Sequence, residues 1–405
     1  MKKSLLLFIC IAAVALQTHS QSTPNTLDVV SWNIEWFGSS GNGPADNDLQ
    51  ESNVKKILRY LDADLVGLVE VVDTMRTRRL VDSLGSANYG YVISPYCTQA
   101  TAPSGAAWLS GQKMAFIYKK SVFSNVTTRG LLRSSGIANA NWASGRFPFM
   151  LSATVTINSI SKDMNFIVIH AKAGSTFDDF TKRQGGAQEM KDTLDTQYNT
   201  ANNLIIGDYN DALNTSIYTG SATSSYLSFV SDSTDADHFK SVTFPLGASG
   251  QTSMINFPNV IDNHIITNEV EPFYVPGSAW IRTDILTVVP DYVTAHNTSD
   301  HYPVFSQYNL AGAVTGLPVV TAASVGFRVF PNPVSTSFYL QATKNLAAVT
   351  LSLYDMQGQL ISTDYRNMIS NGSTIEARMP ALSRGIYFLH VLTGNQRAVV
   401  RLVHL

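Results

Sequence analysis

Ser299-Asp300-His301-Tyr302-Pro303-Val304 and the upstream stretch Ile206-Gly207-Asp208-Tyr209-Asn210 are the two segments that decide the fold. Each places acid, amide or imidazole side chains directly beside an apolar run of the kind that forms a β-strand. Two such junctions predict that polar groups from different strands gather at one rim of a sheet. A metal-assisted phosphate-ester hydrolase needs that arrangement, because carboxylates hold the cation while an imidazole moves a proton.

Further strand-like runs also end on a side chain that can bind a metal or move a proton. They are Trp32-Asn33-Ile34-Glu35, Leu68-Val69-Glu70-Val71, Val168-Ile169-His170 and Val260-Ile261-Asp262. One junction carries little weight, because Asp and Asn often cap turns and a single His is usually a satisfied core residue. Six junctions in a chain with 8 histidines and 14% charged residues favour a functional site.

The composition is that of a folded chain of two domains. It has 405 residues, of which 44% are hydrophobic and 14% charged, which argues against disorder. The formal net charge of −2 provides no global basic field for nucleic acid, so any polyanion must be held locally. No later segment resembles a transmembrane helix, and we expect no stable membrane insertion and a monomer.

Residues 1–20 have the pattern of a secretory signal peptide. Two lysines precede an apolar run from Leu5 to Leu16, which is too short to span a bilayer comfortably. Cleavage after Ser20 would leave Cys97 as the only thiol. We therefore expect an exported protein without an internal disulfide, whose stability comes from its core.

Apolar periodicity predicts strands interspersed with helices over residues 27–309. The predicted helices are Leu49 to Leu61 and Phe180 to Tyr198, and the predicted strands are Leu27 to Ile34, Leu65 to Val69, Met114 to Tyr118, Met150 to Ile157, Phe166 to Ile169, Leu204 to Ile206, Ile261 to Thr267 and Val304 to Tyr308. This order predicts an α+β or α/β body of stacked sheets with helices outside. Residues 310–324 open with small, uncharged residues and predict a linker. Short strands separated by turns predict a small all-β sandwich over residues 325–405.

The order and the amino-acid sequences of these segments resemble those of the DNase I-like nucleases of the endonuclease/exonuclease/phosphatase superfamily. The resemblance covers about Leu27 to Asn309, and includes Gly111-Gln112-Lys113-Met114-Ala115-Phe116-Ile117-Tyr118-Lys119 and Gly145-Arg146-Phe147-Pro148. It implies a four-layer α/β/β/α sandwich and Mg²⁺-dependent cleavage of a phosphoester, with Mn²⁺ or Ca²⁺ as substitutes.

The resemblance, together with the chemistry of the side chains, gives each site residue a role. A hard cation prefers carboxylate and amide oxygens, so Glu70, Asp300 and Asn33 are the expected metal ligands. Glu35 is a further candidate ligand, or a solvated charge at the strand end.

The catalytic residues implied are His301 paired with Asp262 for proton transfer, and His170 as a phosphate donor or second acid/base. Asp208 and Asn210 would orient the attacking water and the phosphate oxygens. Arg146 and Asn33 would bind the substrate phosphate, since the fork of a guanidinium matches two oxygens.

Two positions depart from the pattern of these nucleases. Gln112 stands where they have the carboxylate that pairs with the first histidine, His170. Val72 stands where they have an arginine that contacts DNA. Three arginines follow and either replace that contact or form the exposed face of a helix: Arg76, Arg78 and Arg79. His264 is expected to be structural or peripheral.

From about Val325 the chain resembles the C-terminal sorting domain of the Por, or type IX, secretion system. The matching segments are Phe330-Pro331-Asn332-Pro333, Leu353-Tyr354-Asp355-Met356-Gln357-Gly358, Leu382-Ser383-Arg384-Gly385-Ile386-Tyr387-Phe388 and Gln396-Arg397-Ala398-Val399-Val400-Arg401-Leu402-Val403. The resemblance implies that the type IX secretion machinery recognises residues 325–405 as a sorting signal. It also implies that the protein is secreted or at the cell surface.

Three functional hypotheses remain open from sequence. The first is a secreted nuclease that acts on extracellular DNA or RNA. The second is a phosphodiesterase or phosphatase acting on lipid headgroups or small phosphoesters, although the inositol-phosphatase branch expects Trp-Cys where Val260-Ile261 stand. The third is a catalytically inactive binding protein on the same fold, which the retained acidic and imidazole residues argue against.

Overall fold

The structure is a computed structural model that describes residues 26–100, 102–232, 235–312, 325–355, 359–379, 382–393 and 396–405. The chain divides into two compact units between Gly312 and Ala313. The predicted signal peptide and residues 313–324 of the predicted linker lie outside the described residues. Within the described ranges, no helix is both long enough and apolar enough to cross a membrane.

The first unit contains strands and helices in close alternation. Its strands are β1 (Leu27–Phe37), β2 (Leu65–Val71), β3 (Tyr89–Cys97), β4 (Lys113–Lys119), β5 (Phe123–Gly130), β6 (Phe149–Ile157), β7 (Ile160–His170), β8 (Asn202–Asp208), β9 (Phe239–Ser241), β10 (Asp262–Thr267), β11 (Trp280–Ile281) and β12 (Val304–Tyr308). Its helices are α1 (Asn47–Leu61), α2 (Thr74–Gly85), α3 (Gly105–Ser110), α4 (Ala138–Asn141), α5 (Phe177–Gln197), α6 (Leu227–Val230), α7 (Phe244–Ala248) and α8 (Tyr292–Ala295), with 3₁₀ turns at Glu271–Phe273 and Thr283–Thr287.

These strands form two six-stranded sheets. The first has the order β11-β12-β1-β2-β4-β3 and the second the order β5-β6-β7-β8-β10-β9. The central pairs β1–β2 and β7–β8 are parallel, whereas β1–β12 and β8–β10 are antiparallel. Because parallel neighbours end at the same edge, the polar residues that follow β1 and β2, and those that follow β7 and β8, share an edge.

The two sheets pack face to face with helices on both outer surfaces. Val29 and Phe116 of the first sheet lie in one buried cluster with Phe166 and Ile206 of the second. The outer face of the first sheet packs against α1 and α2, and that of the second packs against α5. The four-layer α/β/β/α sandwich predicted from the sequence is therefore confirmed.

The two long helices begin two or three residues before the sequence prediction. Asp46 caps α1 by accepting hydrogen bonds from the backbone N–H groups of Asp48 and Leu49. Thr176 and Asp179 form a reciprocal capping box at the start of α5. The first turn of α1 is largely polar, and that of α5 begins with the exposed Phe177, so hydrophobic periodicity does not detect either start, whereas the caps satisfy the free N–H groups.

His264 lies between the two sheets and connects them. Its Nε2 is 3.0 Å from Ser31 Oγ of β1, and its Nδ1 is 2.7 Å from Ser306 Oγ of β12. Burial lowers the pKa of this histidine to about 3. The ring is therefore neutral at physiological pH and joins the sheets by hydrogen bonds.

The second unit consists of antiparallel strands with a core of their own. They are β13 (Phe327–Phe330), β14 (Ser337–Ala342), β15 (Leu346–Tyr354), β16 (Leu360–Ile369), β17 (Thr374–Arg378), β18 (Gly385–Thr393) and β19 (Gln396–His404). They form sheets of order β13-β14-β17 and β16-β15-β18-β19. Buried residues of both sheets, such as Leu340 and Val391, share one cluster. This confirms the predicted small all-β sandwich.

Candidate active site

The predicted site residues converge at the ends of strands from both sheets. In the second sheet, Asp208 pairs in register with His170 on one side and with Asp262 on the other. In the first sheet, Asn33 and Glu70 stand near the ends of the parallel strands β1 and β2. The sandwich therefore brings together residues that are far apart in the chain, such as Asn33 and Asp262.

Asn33 connects the two halves of the site. Its Nδ2 donates to Glu70 Oε1 at 3.2 Å and to Asp208 Oδ2 at 3.1 Å. The second Glu70 oxygen, Oε2, accepts a hydrogen bond from the backbone N–H of Trp36 at 2.9 Å. Glu35, Trp36 and Glu70 have positive φ angles of 43°, 48° and 65°. Such strained conformations concentrate at functional sites. Here they coincide with irregularities in the β1–β2 and β2–β4 strand pairing.

His301 and Asp262 form a buried pair. His301 Nδ1 is 2.7 Å from Asp262 Oδ2, and the same oxygen accepts a hydrogen bond from Ser253 Oγ at 2.7 Å. Burial lowers the pKa of His301, but the adjacent Asp262 carboxylate outweighs it and raises the pKa to about 10. Trp32 and Tyr292 donate to the backbone oxygen of His301 and fix its position. The pair can therefore supply a proton from an imidazolium.

Asp208 lies at the centre of the buried side chains. Burial, with the neighbouring Asp262 charge, raises its pKa to about 7. Its Oδ1 accepts the backbone N–H of Asn210 at 2.8 Å, and Asn210 Nδ2 donates to Ala171 O at 3.2 Å. Asn210 has a φ of 49°, which turns the chain back toward β7. The two residues therefore form one rigid polar unit.

Arg146 is packed behind His170 and is fully enclosed by protein. Its Nη1 donates to Gln112 Oε1 at 2.6 Å and lies 3.1 Å from His170 Nδ1, while Nη2 donates to Ala171 O at 2.9 Å. Burial lowers the pKa of Arg146 to about 10. Gln112 thus contacts the arginine, and both terminal nitrogens of Arg146 have protein partners.

His170 is neutral despite its acidic neighbours. Its Nε2 lies 3.5 Å from Glu70 Oε1 and 3.7 Å from Asp208 Oδ2, distances within the range of an ion pair. Burial and the adjacent Arg146 charge nevertheless hold the pKa of His170 well below its usual range. Desolvation is the largest cause because the ring is buried.

His296 is a potential ligand that was not recognised from the sequence, and it lies beside the two predicted candidates Glu35 and Asp300. Side-chain donor atoms of Glu35, His296 and Asp300 all lie within 4.8 Å of one another. His296 precedes Asp300 by four residues, and that spacing was the only signal in the sequence. Burial, followed by the charge of Asp300, raises the pKa of Glu35. The carboxylates of Glu35, Glu70 and Asp300 together match the oxygen donors that a hard divalent cation requires.

The three arginines that follow Val72 lie on α2. Arg76 and Arg79 both contact Glu51 of α1, at 2.7 and 2.6 Å, and Arg78 lies 3.8 Å from Asp82. Arg76 also pairs with Asp48. Of the two possibilities left open by the sequence, these contacts favour a helix surface whose charges are already paired.

Carboxylates that can hold a divalent cation, beside a buried His–Asp pair at the rim of two packed sheets, define a metal-dependent phosphoester hydrolase. The comparisons agree with this class. Residues 30–301 match the endonuclease/exonuclease/phosphatase family, and the chain belongs to that family. Residues 328–404 match a secretion system C-terminal sorting domain, which indicates type IX secretion to the cell surface or the outside. No curated protein matches the chain.

Several solved structures are similar to this chain at low sequence identity. An endonuclease/exonuclease/phosphatase from Beutenbergia cavernae is 14% identical, with a TM-score of 0.48 over 94% of this chain and 100% of that one. The human Nocturnin catalytic domain with bound sulfate is 15% identical, with a TM-score of 0.47 over 70% and 94%. A mannosyl-6-phosphatase from Bacteroides thetaiotaomicron is 13% identical, with a TM-score of 0.44 over 70% and 99%.

Proposed function

We propose that this protein is a secreted, Mg²⁺-dependent phosphodiesterase that hydrolyses extracellular DNA or RNA. The observation that carries the proposal is the position of Asn33, whose amide contacts both Glu70 and Asp208. This contact brings a buried carboxylate of one sheet beside the acid and imidazole groups of the other. The sorting domain supports action outside the cell, where released nucleic acids are an abundant source of phosphodiesters.

Glu70, Asp300 and Asn33 would hold the cation, which neutralises charge on the phosphate and stabilises the leaving oxygen. Glu70 offers two carboxylate oxygens, fixed by Asn33 and the Trp36 N–H. Asp300 Oδ1 lies 3.8 Å from His301 Nε2, so these ligands adjoin the His–Asp pair. Phosphate bound between them would contact both.

Asp208 and Asn210 would orient the attacking water, because the Asn210 N–H and the Asn33 amide hold the two Asp208 oxygens in fixed positions. His301, charged and oriented by Asp262, would give its proton to the leaving oxygen. His170 would donate a hydrogen bond to a phosphate oxygen. Arg146 would hold His170 and add positive charge from behind it. Direct contact of Arg146 with the phosphate remains a prediction.

A substrate panel tests the proposal. The purified protein is incubated with plasmid, single-stranded DNA, RNA and a set of sphingolipids, each with Mg²⁺, Ca²⁺ or EDTA. We expect cleavage of a nucleic acid that requires Mg²⁺ and is lost in His301→Ala. Cleavage of lipid or small phosphoesters alone would replace the nuclease assignment with the second hypothesis. Binding without cleavage of any substrate would favour the inactive binding protein.

A further inference from the structure

Glu35, His296 and Asp300 form a ligand group beside Glu70 that includes an imidazole. His296 Nε2 is 2.8 Å from Glu35 Oε2, and 55% of the His296 side chain is exposed against 13% of Glu35. We propose that His296 binds the catalytic cation together with Glu35 and Asp300, and that its nitrogen gives the site a preference for Mn²⁺ over Mg²⁺. This inference rests on the proposed metal-dependent function and names a residue that sets the metal preference.

The negative charge of Glu35, Glu70 and Asp300 indicates a cation-binding site. Among the described residues, the ion pairs of Glu35, Glu70 and Asp300 are formed with imidazoles, and none is formed with Lys or Arg. Two of those imidazoles, His170 and His301, belong to the catalytic group. Three neighbouring carboxylates that have no Lys or Arg partner among the described residues are therefore best satisfied by a divalent ion.

The backbone that carries these ligands is held in place by a buried glutamine of α1. Gln50 Nε2 lies 2.8 Å from Glu35 O and 3.0 Å from Thr298 O. Asn53, one turn further along α1, donates to Asn297 Oδ1 at 3.1 Å and to Thr298 Oγ1 at 3.0 Å. One helix face thus fixes the distance between the segment of Glu35 and the segment of His296. This arrangement orders the ligands before a metal binds.

The imidazole of His296 determines the metal preference, because it adds a nitrogen to a set of oxygen ligands. Mg²⁺ takes oxygen ligands almost exclusively, whereas imidazole suits transition metals and affinity for nitrogen donors rises from Mn²⁺ along the series. A site with only the carboxylates of Glu35, Glu70 and Asp300 would bind either ion through oxygen. Addition of His296 Nε2 should strengthen Mn²⁺ binding and leave Mg²⁺ binding little changed.

The test measures metal binding without substrate. Calorimetric titration gives the dissociation constants of Mn²⁺ and Mg²⁺ for the wild-type protein, His296→Ala and His238→Ala. His238 is the matched control, because it also pairs with a glutamate, Glu271, at 2.9 Å. We expect His296→Ala to lose at least about tenfold in Mn²⁺ affinity, with a change in Mg²⁺ affinity below about threefold. Pulsed EPR of bound Mn²⁺ should show imidazole nitrogen coupling that His296→Ala removes and His238→Ala retains.

Two results would overturn the inference while the proposed function stands. One is an unchanged Mn²⁺ affinity in His296→Ala. The other is a nitrogen coupling that persists in that variant, which would assign the signal to His170 or His301. Failure of the proposed function has a different signature, because the wild-type protein would then bind neither cation or would cleave phosphodiesters in EDTA.

Discussion

Arg146 Nη1 lies 3.1 Å from His170 Nδ1 and donates to Gln112 Oε1 at 2.6 Å. His170 therefore has a buried cation as its neighbour, and Gln112, which stands where the resemblance to DNase I-like nucleases implies a carboxylate, contacts that cation. A guanidinium beside the ring disfavours its protonation. The amide at Gln112 fits this arrangement, since it accepts from the arginine without the cost of burying another charge.

Replacement of Arg146 by lysine should lower kcat by about 10²-fold, the scale for loss of a positioned donor. A lysine retains the charge but cannot contact Gln112 and Ala171 simultaneously, because it lacks the planar fork. Steady-state kinetics with the best nucleic acid substrate give the value. Arg129→Lys is the control, since Arg129 is exposed and its side chain donates a hydrogen bond to Tyr198, away from the proposed site residues. Equal activity of the two variants would rule out a positioning role for Arg146.

His301→Ala should reduce kcat by at least about 10²-fold, because the general acid is removed. Asp262→Asn should also be damaging, since the ring loses the charge that raises its pKa. Ser253→Ala should have a smaller effect, because it removes one hydrogen bond to the Asp262 carboxylate and leaves both catalytic groups. Circular dichroism checks the fold of each variant. A folded His301→Ala protein with near-normal kcat would refute the assigned role.

Activity should be lost in EDTA and recovered with Mg²⁺ or Mn²⁺. Glu70→Gln should raise the Mg²⁺ concentration needed for half-maximal activity by about 10- to 100-fold, because it removes the charge of the buried ligand. Glu51→Gln is a matched control, since Glu51 pairs with arginines of α2. The measurement is activity as a function of free Mg²⁺. Undiminished activity in EDTA would contradict the metal mechanism.

His264 should make the catalytic unit less stable in acid. Its pKa is about 3 in the folded chain against an ordinary value of 6.5, so the native ring binds fewer protons than the unfolded ring between these values. The free energy of unfolding therefore falls as pH decreases through this window, by about 2 kcal/mol between roughly pH 7 and pH 5.

Urea unfolding at several pH values measures this contribution. His264→Gln should be less stable than the wild type near neutral pH, but should lose less stability on acidification. His238→Gln should not reproduce this change, because the Glu271 hydrogen bond raises the pKa of His238 and its stabilisation is lost as pH rises. If the free energy of unfolding depended on pH identically in His264→Gln and the wild type, His264 could not be a buried neutral ring in the folded chain.

Deletion of residues 325–405 should leave kcat and KM unchanged, because every proposed site residue precedes Asn309 and the two units have separate cores. The truncated protein should accumulate in the periplasm instead of the medium. Mass spectrometry of the exported protein should place its first residue near Gln21 and its last within residues 310–323. Dependence of catalysis on residues 325–405 would contradict both the domain boundary and the assignment of these residues as a sorting signal.

The strand and helix pattern was largely predictable, since apolar runs such as Leu65 to Val69 report burial locally. The prediction missed β3 and β5, whose patterns are interrupted by polar residues such as Ser94 and Asn125, and it missed β9 and β11, which have only 3 and 2 residues. The site residues were found because they follow strand-like runs. His296 was missed because it follows a short helix, α8, and contacts Glu35 only through the fold.

The sequence by itself determined which side chains stand at strand ends, and therefore the fold class and the set of candidate residues. Only the tertiary structure decided that His264 joins the sheets while His170 faces Glu70, although both are histidines in strongly apolar segments. It also decided that Arg146 contacts His170. The physical reason is that periodicity reports burial along one strand, whereas contacts between residues far apart in the chain depend on how the two sheets pack.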